Sequence, residues 1–184
     1  MRNTIRFLLG NLNDFDPALD TIEFDDSDRQ SVDWWAMERL SSFVDVIRQG
    51  YDEFQFKRVS EEIFDYCNDS LSAVYLAAVK DRLYCDAPDS RRRRRTQTVL
   101  YRIADALIRA IAPILVHTAE EAWLALRGEE MDSAASVHLE LLPAPFRWPA
   151  EPGWNEVMSF RQAALKAIEA VSYTHLRAHE TKAN

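Results

Sequence analysis

Apolar residues recur at three- and four-residue steps through most of this chain, and the longest such run constrains the fold most. Trp34, Met37, Leu40, Phe43, Val44, Ile47, Tyr51 and Phe54 fall on one side of an α-helix, and Ser31 and Asp33 stand where an N-terminal cap belongs. A break near Gln55 precedes a third helix whose inward stripe reads Val59, Ile63, Tyr66, Cys67, Leu71, Val74, Tyr75, Ala78, Val79 and Leu83. Residues 86–90, D-A-P-D-S, stop it, because proline and the residue before it resist helical geometry. A fourth helix starts near Ser90, buries Val99, Leu100, Ile103, Leu107 and Ile111, and kinks or ends at Pro113. Thr118 and Glu121 have capping-box spacing and should open a fifth helix through Trp123 and Leu126. Only 4 Gly against 47% hydrophobic residues agrees with long helices rather than a turn-rich β architecture. Helices joined by short loops imply a mainly α, antiparallel bundle.

The ends carry less pattern. An opening helix places Ile5, Leu8, Leu9 and Leu12 on one face and Arg2, Asn3, Arg6, Asn11 and Asn13 on the other, and residues 14–30, rich in Asp and Glu, read as a solvated connection. The bundle is therefore assigned to residues 1–127 and a Pro-rich connection to 128–153, where residues 137–142 alternate as a short extended segment. A further helical region starts at 154 and runs to 171. Residues 172–184 include Y-T-H-L-R-A-H-E-T, a run similar to a translated sequencing adapter that ends unrelated metagenomic sequences; this tail is expected to be non-native and is set aside from the fold reading.

Several function classes lack support. No apolar run approaches the ~20 residues needed to cross a bilayer, and no secretory leader is visible, so a soluble cytoplasmic protein without a membrane partner is expected. Cys67 and Cys85 fit neither a disulfide framework nor a zinc site and read as buried free thiols. His175 and His179 lie four apart but have no third ligand, and His117 and His138 are isolated. No catalytic residues, no metal ligands and no Gly-rich phosphate loop can be assigned.

Charge is the remaining lead. The net charge is -8, yet residues 80–110 hold nine basic residues against four acidic ones, a local +5 on a remainder of -13. Such an asymmetry suits a polyanion bound at one face and repelled elsewhere, and argues against general DNA binding. Five successive arginines, residues 91–95, open the fourth helix, where the macrodipole disfavours cations, so helix stability alone would not select them. Their guanidinium groups suit phosphate forks. Trp35, Phe56 and Tyr84 fall off the inward stripes and offer faces for stacking on unpaired bases.

The motifs carry a resemblance. R-N-T-I-R-F-L-L-G-N-L-N-D-F-D-P at residues 2–17, K-D-R-x-Y beginning at Lys80, R-R-x-x-Q-T-x-L-Y beginning at Arg93, and A-P-I-L-V-H-T-A-E-E-A-W at residues 112–123 together resemble bacterial-type isoleucyl-tRNA synthetases, from Arg2 to about Val171. The last motif is shared with the valyl, leucyl and methionyl enzymes, and N-L-N-D-F-D-P tips the choice toward isoleucine. The resemblance implies a helical domain receiving the anticodon stem-loop of isoleucine tRNA, as a monomer, with the catalytic domain of the same enzyme as its other partner. ATP and magnesium, with zinc in many members, are implied for the full-length ligase and none for this portion, which lacks H-I-G-H and K-M-S-K-S. Arg2, Asn3, Arg6, Lys80, Arg82, Arg93, Arg94 and Gln97 are the implied RNA-binding residues. Arg95 replaces the family's usual serine and Ala77 its usual acidic residue. A valyl-type enzyme, and a helical protein-interaction module with an acidic partner, remain the alternatives.

Overall fold

A computed structural model describes the backbone of residues 1–130 and 134–180, with side chains to residue 169. It forms two compact units, residues 1–149 and the remainder from Ala150. In the first, helices α1 (Arg2–Gly10), α2 (Val32–Asp52), α3 (Phe56–Asp65), α4 (Leu76–Cys85), α5 (Arg91–Ile111) and α6 (Val116–Arg127) make an up-and-down bundle; a π-helical segment, Tyr66–Tyr75, joins α3 to α4. The second unit holds α7 (Gly153–Glu180). The side chains of His175 and His179 lie outside the described residues.

The caps follow local chemistry. Ser31 accepts from the amide of Trp34 at the start of α2, and Ser90 accepts from the amide of Arg93 at the start of α5, each satisfying a donor that the helix leaves open. α2 closes with the Gln55 amide donating to the Gly50 carbonyl at 2.7 Å, which places Phe54 in the left-handed region at φ 58. A side chain there costs roughly 1–2 kcal/mol. Phe54, expected on the buried stripe, lies beyond the helix end and points outward, 78% exposed. Gly50 itself is required by packing, since an added Cβ would lie 2.6 Å from Val59 Cγ2 where α3 crosses. α6 begins two residues before the expected Thr118 cap: Leu115 closes a turn by donating to the Ile111 carbonyl and leads straight into Val116. Gly128, at φ 69, ends it.

Heptad-like steps describe α2 and α5 well, since Met37, Leu40, Phe43, Val44, Ile47, Val99, Leu100, Ile103, Leu107 and Ile111 are all buried. The π segment is where the α-period reading slips. A π turn holds more residues than an α turn, so the inward face lags. Ser70 and Leu76 are consequently buried, Val74 is half-buried and Ala78 is exposed. The Ser72 hydroxyl donates to the Cys67 carbonyl at 2.7 Å, five residues back, and Tyr66 stacks on Phe43 of α2 at 4.3 Å between centroids. Cys67 is buried as expected, its thiol pushed up to about 11 by burial, whereas Cys85 is exposed at the end of α4. Trp35, expected on the surface, is buried because α2 is covered on more than one side; Phe56 and Tyr84 are exposed.

Residues 137–139 form a short 3-10 turn rather than an extended segment, because Glu120 accepts from the Val137 amide and the Ser136 hydroxyl. The Pro-rich chain beyond it lies along α2. Arg48 donates to the Pro143 carbonyl, Ser41 to that of Phe146, and Trp34 Nε1 to that of Pro149. Trp148 packs on Trp34 and Phe24, with centroids 4.8 and 5.3 Å away.

One buried carboxylate joins three elements at one end of the bundle. Asp33, in the first turn of α2 and fully buried, accepts from Tyr75 Oη at 2.9 Å, Arg82 at 2.8 Å, Arg95 Nε at 3.0 Å and Thr96 Oγ1 at 3.1 Å. Its replacement by Asn, which keeps the size and removes the charge, leaves two guanidinium groups short of their partner. Urea unfolding should then show a loss of about 3–5 kcal/mol. A loss below about 1 kcal/mol would mean that the carboxylate is incidental to the bundle.

Candidate nucleic-acid interface

The arginine run at the start of α5 divides by helical position. Arg93 and Arg94 lie against the connection after α1, with side chains 13% and 16% exposed, and both meet Asp14. Arg93 grips that carboxylate with two nitrogens, at 2.6 and 3.0 Å, and donates to the Leu83 and Pro88 carbonyls as well. Arg94 donates to the Asp14 carbonyl and pairs with Asp20 at 3.4 Å. Gln97, fully buried, donates to the Asn11 carbonyl at 2.9 Å and to Asp14 at 2.8 Å. Arg95 turns inward to Asp28 and Asp33 and so supplies an internal ion-pair donor. Arg91 and Arg92 are the exposed pair, at 53% and 57%.

Arg93, Arg94 and Gln97, expected to contact RNA from an exposed helix face, tie the 14–28 connection to α5, and each already donates to acceptors inside the protein. The signal for this lies in the acidic connection. Six Asp residues between 14 and 28 sit in a segment that reads as solvated, and Asp14, Asp20, Asp25 and Asp28 of that set receive the α5 arginines. Arg82, likewise expected at the RNA, is bound to Asp33 with 20% of its side chain exposed.

The other expected RNA residues are open. Arg2, Asn3 and Arg6 lie on the outer face of α1, while Thr4, Ile5 and Leu8 point inward. Arg2 and Arg6 line a groove of about 290 Å³ between α1 and α6, whose other wall includes Thr118, Glu121 and Ala122. Lys80 is exposed on α4. None of these four side chains has a hydrogen bond or ion pair among the described residues. Phe54, Phe56 and Tyr84 supply exposed aromatic surface, the first two in an edge contact at 6.3 Å. Among the described residues no group of His, Cys, Asp or Glu has the geometry to hold a metal ion, and no helix is long and apolar enough to cross a membrane.

The Asp14 cluster responds to acid in a stated direction. The hydrogen bond from Arg93 outweighs partial burial and, with Gln97 and Arg94, lowers the Asp14 carboxyl from 3.8 to about 2. A folded-state pKa below the unfolded one stabilises the protein above the unfolded value, and that contribution fades as pH falls from about 3.8 through about 2. Because Asp14 is 43% exposed, solvent screens much of the effect. Asp14→Asn should flatten the acid limb of a stability-against-pH curve in that window, and Arg93→Ala with Arg94→Ala should lower the melting temperature. A double mutant as stable as the parent would show that the two arginines are not structural.

With this geometry in view, comparison with known proteins is specific. Residues 33–181 match the family model described as the anticodon-binding domain of tRNA ligase. Isoleucine–tRNA ligase of Desulfitobacterium hafniense is 38% identical over 183 residues, covering 97% of this chain and 19% of the relative. The ligase of the same description from Symbiobacterium thermophilum is 42% identical over 173 residues, or 92% and 18%, and that from Desulfotalea psychrophila 37% over 189 residues, or 100% and 20%. The chain spans about a fifth of the length of these curated relatives. The helical architecture and the family match together place the chain in the anticodon-binding domain family of tRNA ligases.

Proposed function

We propose that this chain is the anticodon-recognition portion of an isoleucine–tRNA ligase, and that it receives the anticodon stem-loop of an isoleucine tRNA without chemistry of its own. The family match and the description shared by its relatives support the reading. The observation that carries it in the structure is the sorting of charge. On a protein of net charge -8, most arginines of the basic segment are consumed by internal carboxylates, whereas Arg2, Arg6 and Lys80 are left exposed without one among the described residues. A free cation on an acidic surface neither holds the fold together nor attracts polyanions at random. It is placed to meet phosphate where shape brings the backbone close. Asn3, beside Arg2 on the outer face of α1, offers an amide to a base edge.

Arg82, Arg93, Arg94 and Gln97 then act on RNA at one remove, by fixing the connection and the helix ends that present the free groups. ATP, magnesium and, in this reading, zinc belong to the remainder of the full-length ligase, which works as a monomer in the cytoplasm and whose catalytic domain is the other partner of this portion. The valyl alternative is disfavoured by the N-L-N-D-F-D-P run and by relatives described as isoleucine–tRNA ligases.

Arg2→Gln, Arg6→Gln and Lys80→Gln combined should weaken binding of a synthetic isoleucine anticodon stem-loop, with helical content and melting unchanged because all three side chains are exposed. The slope of log affinity against log salt should fall by about 0.7–0.9 for each phosphate that is no longer neutralised. Unchanged affinity and slope in the folded triple mutant would remove these residues from the interface. Failure of the parent chain to bind would remove the reading itself.

A further inference from the structure

Two arginines of the run differ from the other three in a way that internal packing does not explain. Arg91 and Arg92 occupy the first turn of α5, where the helix dipole makes added positive charge unfavourable. Their side chains are more than half exposed, as is that of Asp25, while the Asp86 carboxylate is reached from the exposed Arg92 side and is itself 15% exposed. Arg91 reaches Asp25 at 3.4 Å and the buried Asp28 at 3.4–3.5 Å, long distances at the edge of hydrogen-bonding range. Asp25 does not depend on it, because its carboxylate also caps the 3-10 turn Asp26–Asp28 by accepting from the Ser27 amide at 2.8 Å. Arg92 holds Asp86 with Nε at 2.7 Å and a second nitrogen, the same two-pronged geometry that a guanidinium offers to phosphate. Asp86 follows the last residue of α4, the helix on which Lys80 stands free.

We infer that Asp25 and Asp86 are displaceable counter-ions, which occupy Arg91 and Arg92 in the free protein and yield them to the phosphates of a docked RNA. The inference rests on the tRNA reading above and adds a selective element to it. A phosphate must outcompete a resident carboxylate, so weak and unshaped encounters gain little from these two cations. Arg93, Arg94 and Arg95 are excluded from the exchange by burial and by their several acceptors. Arg91 and Arg92 thereby join the interface as residues that the family motif, which begins at Arg93, does not mark.

The test uses the whole 184-residue chain and a synthetic isoleucine anticodon stem-loop. Asp25→Asn with Asp86→Asn should bind it roughly two- to thirtyfold more tightly, the range set by releasing two arginines that are themselves more than half exposed, and with a steeper salt dependence. Adding Arg91→Gln and Arg92→Gln should abolish that gain. A control that neutralises the same number of exposed carboxylates elsewhere, Asp45→Asn with Asp69→Asn, should gain less, separating local competition from the change in net charge. Equal gain in the control, no gain in the test variant, or a gain that survives loss of the two arginines overturns the counter-ion role alone. Should the test variant fail to fold, Arg91→Gln with Arg92→Gln in the parent background decides the matter: weakened binding supports the exchange, and unchanged binding ends it. Absence of binding by the parent defeats the tRNA reading and this inference together.

Discussion

A carboxylate shut away from water must find its hydrogen bonds inside the protein, and Asp33 finds four. Its donors come from the π segment, α4 and the start of α5, so satisfying one charge fixes three lengths of chain against the N-terminus of α2. The position suits the charge, since the first turn of a helix favours an anion. The cost of burying it is offset only while the whole donor set stays in place, which couples distant segments that apolar packing alone would hold less specifically. At the far end of the bundle, Tyr51 Oη donates to the Ala110 carbonyl at 2.8 Å, so α2 and α5 are pinned at both ends and run in the same direction.

The bundle is legible in the sequence because its two longest helices obey a single period and carry explicit caps at Ser31 and Ser90. The π segment is not, because the period changes without any change in residue type. Nothing in Y-C-N-D-S-L-S-A-V-Y distinguishes it from an α-helix, and a stripe extended through Ala78 keeps a phase that the backbone abandons. Phe54 escapes for a different reason: its periodic position is apolar, but the helix ends before it, with Glu53 as the cap. The Thr118–Glu121 spacing falls two residues inside a helix that the turn after Pro113 has already started.

The candidate interface is legible as a charge imbalance and illegible in its details. The residue count shows that the arginines cluster; it cannot show that the acidic connection folds back onto them, since Asp14 and Arg93 are 79 positions apart. Helix position decides which member of the run turns inward, and that depends on the angle at which α5 leaves Ser90. The cations weighed for the interface therefore fall into three groups: Arg82, Arg93, Arg94 and Arg95, which hold the fold; Arg91 and Arg92, exposed but paired; and Arg2, Arg6 and Lys80, without partners among the described residues. The last two groups are the ones proposed to meet RNA, and the first fixes the chain segments from which they project.

Native-state hydrogen exchange, resolved by residue, tests most directly the claim that the buried charge network organises the bundle. The amides of Trp35, Ala36 and Met37, in the second turn of α2, and of Thr98, Val99 and Leu100, in the third turn of α5, follow the network residues Asp33 and Thr96 along their helices. They should exchange only through global unfolding, with the slowest rates in the chain. Exchange of these amides through local opening, at rates like those of α1, would show that the network forms on a bundle already held by its apolar core, and would contradict the account.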